Sequence, residues 1–544
     1  MKHKIKHDSS GAVLMWVIGV MVAMGIIISS ALSVIHLNLG AAVRNNQSQL
    51  AFNISDAGIN YYLWHLSHDG SDFKDGNPSA TMIASGKYAG FYGPFAHDYK
   101  DDNGNVVGKY TLYVKPKSAG STIATVRSIG TTASGDSTRT IEADLGAPSF
   151  AANALTANIA IWFANGEDSN GRVHSNVGIR KEGGFTDEIT SSNSTYCVPR
   201  QMTDPDYSLG SCNNGGASTI HKGVWCSDSA TNCATKTTGN GYGLWRFPAA
   251  SVDFNKLQAD RCKLKLVATA DYPSTSGITD CATQTSVAPT AAYIKPDGNC
   301  GSNNPNHDNN SDSKNGYLIE LTGNTYNRYT VTNEVSTNST WSTVLTKGAG
   351  TNNPIPPSGV IFVEDNVWVR TSSPFTGRVT IVASCQSTST TNTARIVQAD
   401  DIEYSAKNGT SVIGLIAQSD FFIAPYAPKV GSWPLKLHAA IITTGAARFP
   451  YRYNGNCMTS GTNYWNSASR VLDFYGSVAV NGWRWTWITP SGDAQRAAAC
   501  GSTSVGIQQN DTNYDNYLLY APPPKFPVTS TYNILAWREV LTTP

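Results

Sequence analysis

At 544 residues the chain is too long for one ordinary hydrophobic core, so two or three domains are expected. Charged residues make up only 15% and the formal net charge is +1, which leaves no basic surplus for a phosphate backbone and argues against a nucleic-acid partner. Gly, Ser, Thr and Asn are abundant while Lys and Glu are sparse, a composition suited to β-structure with many turns.

The chain opens on a short basic leader with Lys2, Lys4 and Lys6, ending in Gly11. Ala12–Ile35 is apolar, and no charged residue interrupts it before Arg44. Roughly 20 such residues span a bilayer as a helix, so residues 12–35 are expected to be a transmembrane helix. The lysines before it keep the leader cytoplasmic and send the remainder outward. Ala31-Leu32-Ser33 imitates a signal-peptidase site, but the apolar stretch before it exceeds the core of about 7–15 residues that secretory signals carry. Beyond the membrane, Leu37, Leu39, Ala42, Leu50, Ile54, Gly58, Ile59, Leu63 and Leu66 keep a three-to-four residue spacing, and no proline intervenes until Pro78. One long helix is expected, lipid-buried at first and then amphipathic.

These residues carry a resemblance. The leader ending at Gly11, the apolar helix, and Gln49-Leu-Ala-Phe-Asn-Ile-Ser-Asp-Ala-Gly58-Ile-Asn resemble the N-terminal region of type IV pilin-like proteins, in particular minor pilins of the PilX type. The likeness covers about the first 145 residues. It implies a prepilin peptidase that cuts between Gly11 and Ala12, N-methylation of the new terminus, and other pilin subunits as partners. Trp16 stands where major pilins carry the glutamate at mature position five. A buried carboxylate is costly unless paired, so a subunit lacking it fits a filament tip or a low-copy role better than a filament wall. An uncleaved anchor with no filament is the plain alternative.

Asp72–Asn105 is turn-rich and polar. Three strands are predicted after it, at 109–114, 121–128 and 139–145, each rich in β-branched residues and bounded by Gly, Ser or Asp. A small antiparallel sheet wrapped on the helix, spanning 36–147, is the economical fold and the one the resemblance implies. Asp98-Tyr-Lys-Asp-Asp-Asn-Gly104 fails the EF-hand spacing, because Tyr99 falls at the first ligand position, and is read as a turn.

After a joint at Gly146-Ala-Pro-Ser-Phe150, a degenerate unit recurs: a short apolar strand, a turn, and a second strand such as Gly171-Arg-Val-His-Ser-Asn176, Gly377-Arg-Val-Thr-Ile-Val-Ala383, Val412-Ile-Gly-Leu-Ile-Ala417 or Gly476-Ser-Val-Ala-Val480. Two short strands without a helical spacer predict a parallel β-solenoid over 151–185 and 358–544, with a β-sandwich as the alternative. These phrases also resemble large, poorly characterised C-terminal domains that accompany pilin-like anchors. The fold class expected is α+β, mainly β. A cysteine-rich insertion occupies 186–357, with a helix over 252–264 and a hairpin formed by 316–321 and 326–331.

Seven of the ten cysteines lie in that insertion: Cys197, Cys212, Cys226, Cys233, Cys262, Cys281 and Cys300. With Cys385, Cys457 and Cys500 they are read as disulfides, since no C-x-x-C pair exists and the upstream segment exports the chain to an oxidising exterior.

No catalytic constellation emerges, and no metal or cofactor is expected. His174 and Ser175 are adjacent on a strand and face opposite ways, so they cannot form a nucleophile–base pair; His174 is read as a structural hydrogen-bonder. Asp400, Asp401 and Glu403 form the densest acidic group, and Asp401 and Glu403 would share a strand face. Trp483, Trp485 and Trp487 alternate onto one side of a strand, as a platform for sugar rings or a protein partner, or as an end cap of the core. Ala521-Pro-Pro-Pro-Lys-Phe-Pro527 is read as a rigid strap, with 532–539 docking back as a last helical or extended piece. The functional expectation is a non-enzymatic minor pilin or pseudopilin-like subunit at the cell membrane, possessing a cytoplasmic N-terminus and an extracellular β-domain for pilus priming or for adhesion to a surface glycan or protein receptor. The alternatives are a membrane-anchored glycan-active enzyme and a passive display protein.

Overall fold

The computed structural model describes residues 10–540 apart from 71, 118–120, 164–167, 198–219, 227–243, 272–290, 302–315, 338–339, 387–391, 425–426, 428–433, 449–451, 454–455, 458–470, 483–508 and 530–531. The chain forms two compact units. The first comprises 1–116, 124–146 and 532–544; the second comprises 117–123 and 147–531.

In the first unit α1 runs unbroken from Ser10 to His68, 59 residues, or about 88 Å at the α-helical rise. Residues 13–39 are exposed throughout, and this stretch is long and apolar enough to cross a membrane. Burial begins at Ala51 and continues through Ile54, Ile59, Tyr62 and Leu66; of the spacing read from the sequence, Ile54, Gly58, Ile59 and Leu66 are buried and Leu50 and Leu63 half-buried, while Ala51 and Tyr62 complete the face. That face packs on a sheet made by β1 (Tyr92–Lys100), β2 (Val106–Pro116), β3 (Ile123–Thr132) and β4 (Thr138–Gly146) in that order. Tyr110, Leu112 and Val114 alternate inward along β2, and Ile141, Ala143 and Leu145 do so along β4. Ser55 pins helix to sheet, its Oγ donating to Ser128 O at 2.7 Å and accepting from Ile141 N at 3.1 Å. The three predicted strands are present as β2, β3 and β4, the first and third with longer bounds and the middle one shifted from 121–128 to Ile123–Thr132. β1 stands in a stretch read as turns.

The fifth strand of this sheet comes from the far end of the chain: Asn533–Glu539 pairs antiparallel with β4, from Asn533 opposite Gly146 to Glu539 opposite Ile141. The terminal piece expected after the strap is therefore extended, and the second unit is inserted between two neighbouring strands of the first. Glu142 on β4 holds this strand through Arg538, whose Nε donates at 3.1 Å, and also binds Arg127 of β3.

The second unit is built from parallel ladders. The longest lays side by side, in spatial order, Tyr293–Ile294, Val360–Val363, Arg378–Ala383, Val412–Ala417, Leu435–Thr443, Val471–Val480, Leu155–Ala157, Val173–Ser175, Ile189–Ser191 and Trp245–Arg246. Between these strands the chain repeatedly visits a second set of parallel strands, including Val367–Thr371, Ile396–Gln398 and Phe421–Ile423, and for the earlier residues Ile161–Phe163 and Ile179–Lys181. A third, shorter set uses the leading halves of Leu435–Thr443 and Val471–Val480 with Gln509–Tyr514 and Ser169–Asn170. The order is circular. The chain enters mid-stack at Leu155, advances to Trp245–Arg246, restarts at the opposite end with Tyr293, and works back until Val478 pairs with Leu155. Both runs advance in one direction.

The strand runs are apolar without alternation because both faces of the long ladder are covered. Val379, Ile381, Leu415, Ile441 and Val478 face inward. Val382, Ile416, Ala440, Ile442 and Ala479 face outward, in a cluster with Leu257, Leu264 and Ala268 of a helix (Lys256–Ala270) and with Phe150 and Phe526. The proline strap lies here: Arg378 donates from Nη2 to Pro522 O (2.5 Å), and Thr380 Oγ1 donates to Pro524 O (2.6 Å). At the corner where Val471–Val480 passes from the third set to the long ladder, Gly476 has φ +154°, and a Cβ there would lie 1.9 Å from Ala439 O.

The helix predicted at 252–264 is displaced to Lys256–Ala270. The predicted hairpin forms as Tyr317–Thr322 and Thr325–Thr337, extended by Thr340–Lys347 and Thr351–Pro354. The 186–357 stretch is less separate than expected, since Ile189–Ser191, Trp245–Arg246, Tyr293–Ile294 and Tyr317–Thr322 all join the ladders.

Candidate functional site

Gly11 and Ala12 lie in the first turn of α1, at the start of the apolar run. Trp483, Trp485 and Trp487 lie outside the described residues, as do Cys212, Cys233, Cys281 and Cys500. Cys457 lies on the short strand Asn456–Cys457. Cys300 and Cys385 form a disulfide across 85 residues, tying the insertion to the end of a long-ladder strand. Cys197, Cys226 and Cys262 are also disulfide-bonded.

His174 is buried, with Nδ1 2.8 Å from Thr190 Oγ1 and Nε2 3.0 Å from Asn176 Oδ1. Burial lowers its pKa, with the Asn176 hydrogen bond opposing. Ser175 turns the other way, its Oγ donating to Ile159 O at 2.7 Å. The two residues do not meet, as the strand alternation requires.

The acidic group at 401–403 does find partners. Ile402 bridges Leu437, and Lys436 pairs in register with Asp473, so the polar residues between these apolar ones form rows on the outer side of the third strand set. Lys436 Nζ is 2.8 Å from Glu403 Oε2, and Lys436 N donates to Asp401 Oδ1 at 2.8 Å. His438 Nε2 lies 3.5 Å from Asp473 Oδ2. Burial, with Asp400 and Glu403 nearby, raises Asp401, while the hydrogen bond from His438 holds Asp473 low. The Glu403 hydrogen bond raises Lys436.

Next along this face, Asp515 gathers two tyrosines. Tyr404 OH donates to Oδ2 at 2.7 Å and Tyr475 OH to Oδ1 at 3.1 Å. Oδ1 also accepts Tyr517 N at 3.0 Å, capping the short helix Asn516–Leu519. Lys407 Nζ sits 4.5 Å from the Tyr475 ring centre. His438, Asp473, Tyr475 and Asp515 were missed in sequence. For the first three the signal was the alternation in Leu435-Lys-Leu-His438 and Leu472-Asp-Phe-Tyr475, which places a polar side chain outward at every second residue; Asp515 follows the polar strand Gln509–Tyr514, which has no such alternation. Chemically, the Lys436 ammonium neutralises Glu403, which suits binding of hydroxyl groups better than proton transfer.

A second outward row, Trp162–Arg180–Trp225, is in register across three strands, with Arg180 Cζ 4.5 Å from the Trp162 ring centre and 5.4 Å from that of Trp225. Its planar groups are spent on one another. Among the described residues, no group of three or more His, Cys, Asp or Glu side chains is placed to hold a metal.

No family model and no curated protein matches the chain. Among solved structures, the competence-associated pilin ComZ from Thermus thermophilus aligns at 13% identity over 91% of this chain and 98% of that one, with a TM-score of 0.27, too loose a superposition to support any statement about this chain.

Proposed function

We propose that the chain is a minor type IV pilin or pseudopilin-like subunit that carries a large non-enzymatic β-solenoid outside the cell, for pilus priming or adhesion. The observation that supports this most is α1 itself. It is one helix, bare and apolar from Val13 to Leu39 and clamped by a small sheet from Ala51 onward. A membrane span alone needs roughly 20 residues. The further turns fit a helix that passes from lipid into a bundle of like helices. Parallel pairing, two strands laid per circuit, and an advance of one strand spacing each time support the solenoid reading over a β-sandwich, which is antiparallel. The closure of the first sheet by the C-terminal strand supports a display domain inserted into a pilin-like head.

On this reading, prepilin peptidase removes residues 1–11, the mature chain begins at Ala12, and Trp16 restricts it to few copies. Replacing Gly11 by a bulky residue tests it: the membrane-extracted protein should gain the mass of residues 1–11. An N-terminal mass that starts at Met1 in both proteins excludes processing.

A further inference from the structure

We infer that the outer face formed by Tyr517, Tyr475, Lys407, Asp473, Lys436 and Glu403 is a binding site for neutral sugar rings of a glycan. Tyr517 supplies the platform. Its ring is seated directly on Gly409, where an added Cβ would come within 2.9 Å of Cδ1 and 3.0 Å of Cγ. Even so, 47% of the residue remains open, so its far side faces solvent. Aromatic rings held in this way stack on the apolar face of a pyranose. The platform is preorganised, because one carboxylate oxygen of Asp515 fixes both the Tyr517 backbone and the Tyr475 hydroxyl.

The polar strip beside it has the mixture that sugar hydroxyls use. Each hydroxyl donates once and accepts twice, and here carboxylates and ammoniums alternate: Lys407 over Tyr475, Asp473 beside His438, and Lys436 against Glu403. Side chains of Lys436, Asp473 and Glu403 are 35%, 35% and 26% exposed, accessible yet fixed by their neighbours. The charge balance selects the class. Asp401, Glu403 and Asp473 outnumber Lys407 and Lys436 on this face, which disfavours uronic acids, sialic acids and nucleic acids.

The inference rests on the reading that the second unit lies outside the cell. Binding by the purified chain does not depend on processing at Gly11, so the two can fail separately. The test is calorimetric titration of the full chain, in a detergent without a sugar headgroup, with maltohexaose, cellohexaose and N-acetylchitohexaose, and with hexagalacturonate as the acidic control. At least one neutral oligosaccharide should bind, and more tightly than hexagalacturonate. Tyr517→Ala should weaken it at least tenfold and Lys436→Met several-fold, while Tyr517→Phe keeps it within about twofold; a tenfold change corresponds to about 1.4 kcal/mol. Absence of binding by all three neutral oligosaccharides overturns the inference. So does tighter binding of hexagalacturonate, or affinity unchanged in both Tyr517→Ala and Lys436→Met.

Discussion

Asn158 donates from Nδ2 to Asn481 Oδ1 at 2.6 Å, joining side chains 323 residues apart. The bond lies where the first strand of the second unit's long ladder pairs with a late one, next to the pairing of Val478 with Leu155. Asn176 continues the row one strand further, donating to Asn158 Oδ1 at 2.6 Å. Such amide ladders repeat one bond at each step of a parallel stack.

Asn176 is the stronger rung. It also donates to Val252 O at 2.8 Å, and its Oδ1 accepts Val252 N at 2.9 Å. Asn176→Ala removes the partners of Val252 N and O and of His174 Nε2, and should destabilise the second unit by roughly 2–3 kcal/mol, against about 1 kcal/mol for Asn158→Ala. Calorimetric melting of the two variants checks the ranking.

Glu142 predicts a pH dependence for the C-terminal strand. Burial alone would raise its pKa, but hydrogen bonds from Arg127 and Arg538 and their charges bring it below the usual range. A depressed carboxylate stabilises above its unfolded pKa of about 4.3, and that contribution is lost as pH falls through the lower folded value. Amide exchange across 533–539 should therefore show less protection at pH 3 than at pH 6, after correction for intrinsic rates. Glu142→Gln should flatten the difference.

Lys181 predicts a slope of the same sign in a higher pH window. It is 2% exposed, its ammonium lies 4.9 Å from the Phe185 ring centre, and burial lowers its pKa to about 8, with Asp168 opposing. The folded state then binds fewer protons than the unfolded state between about pH 8 and 10.4, so stability rises with pH across that window. Lys181→Met should stabilise the second unit by about 1–3 kcal/mol at pH 7, a gain that shrinks toward pH 10. A lower melting temperature at pH 7 contradicts it.

Gly476→Ala should be among the most damaging single changes. Backbone, not a flexible side chain, occupies the space its Cβ needs, and φ +154° is strained for any L side chain. A loss of about 3 kcal/mol or more is expected. Gly135→Ala, at a turn with φ +76° and open space, should cost only about 1 kcal/mol. Soluble yield and thermal melting separate the two.

The helix was legible because apolar spacing and the absence of proline are local signals, and Gly377-Arg-Val-Thr-Ile-Val-Ala383 because a corner glycine precedes an apolar strand. β1 was not: Tyr-Gly-Pro-Phe-Ala-His-Asp-Tyr-Lys reads as turn and polar residues, and as an edge strand it has one neighbour and little to bury. Nor could local pattern reveal the circular order of the strands, since one short apolar strand can pair in parallel with any other of matching length. Of the site, Asp401 and Glu403 stood out as a cluster, whereas Asp473 and Asp515 became partners only through stacking across long separations.

The central claim, a rare pilin-like subunit displaying its second unit outside the cell, is tested most directly by immunogold labelling of intact cells with antibody to residues 358–424. The account predicts sparse label on the outer surface, concentrated at filament bases or ends. Dense, even label over the whole cell surface, unchanged when filament assembly is abolished, would contradict it.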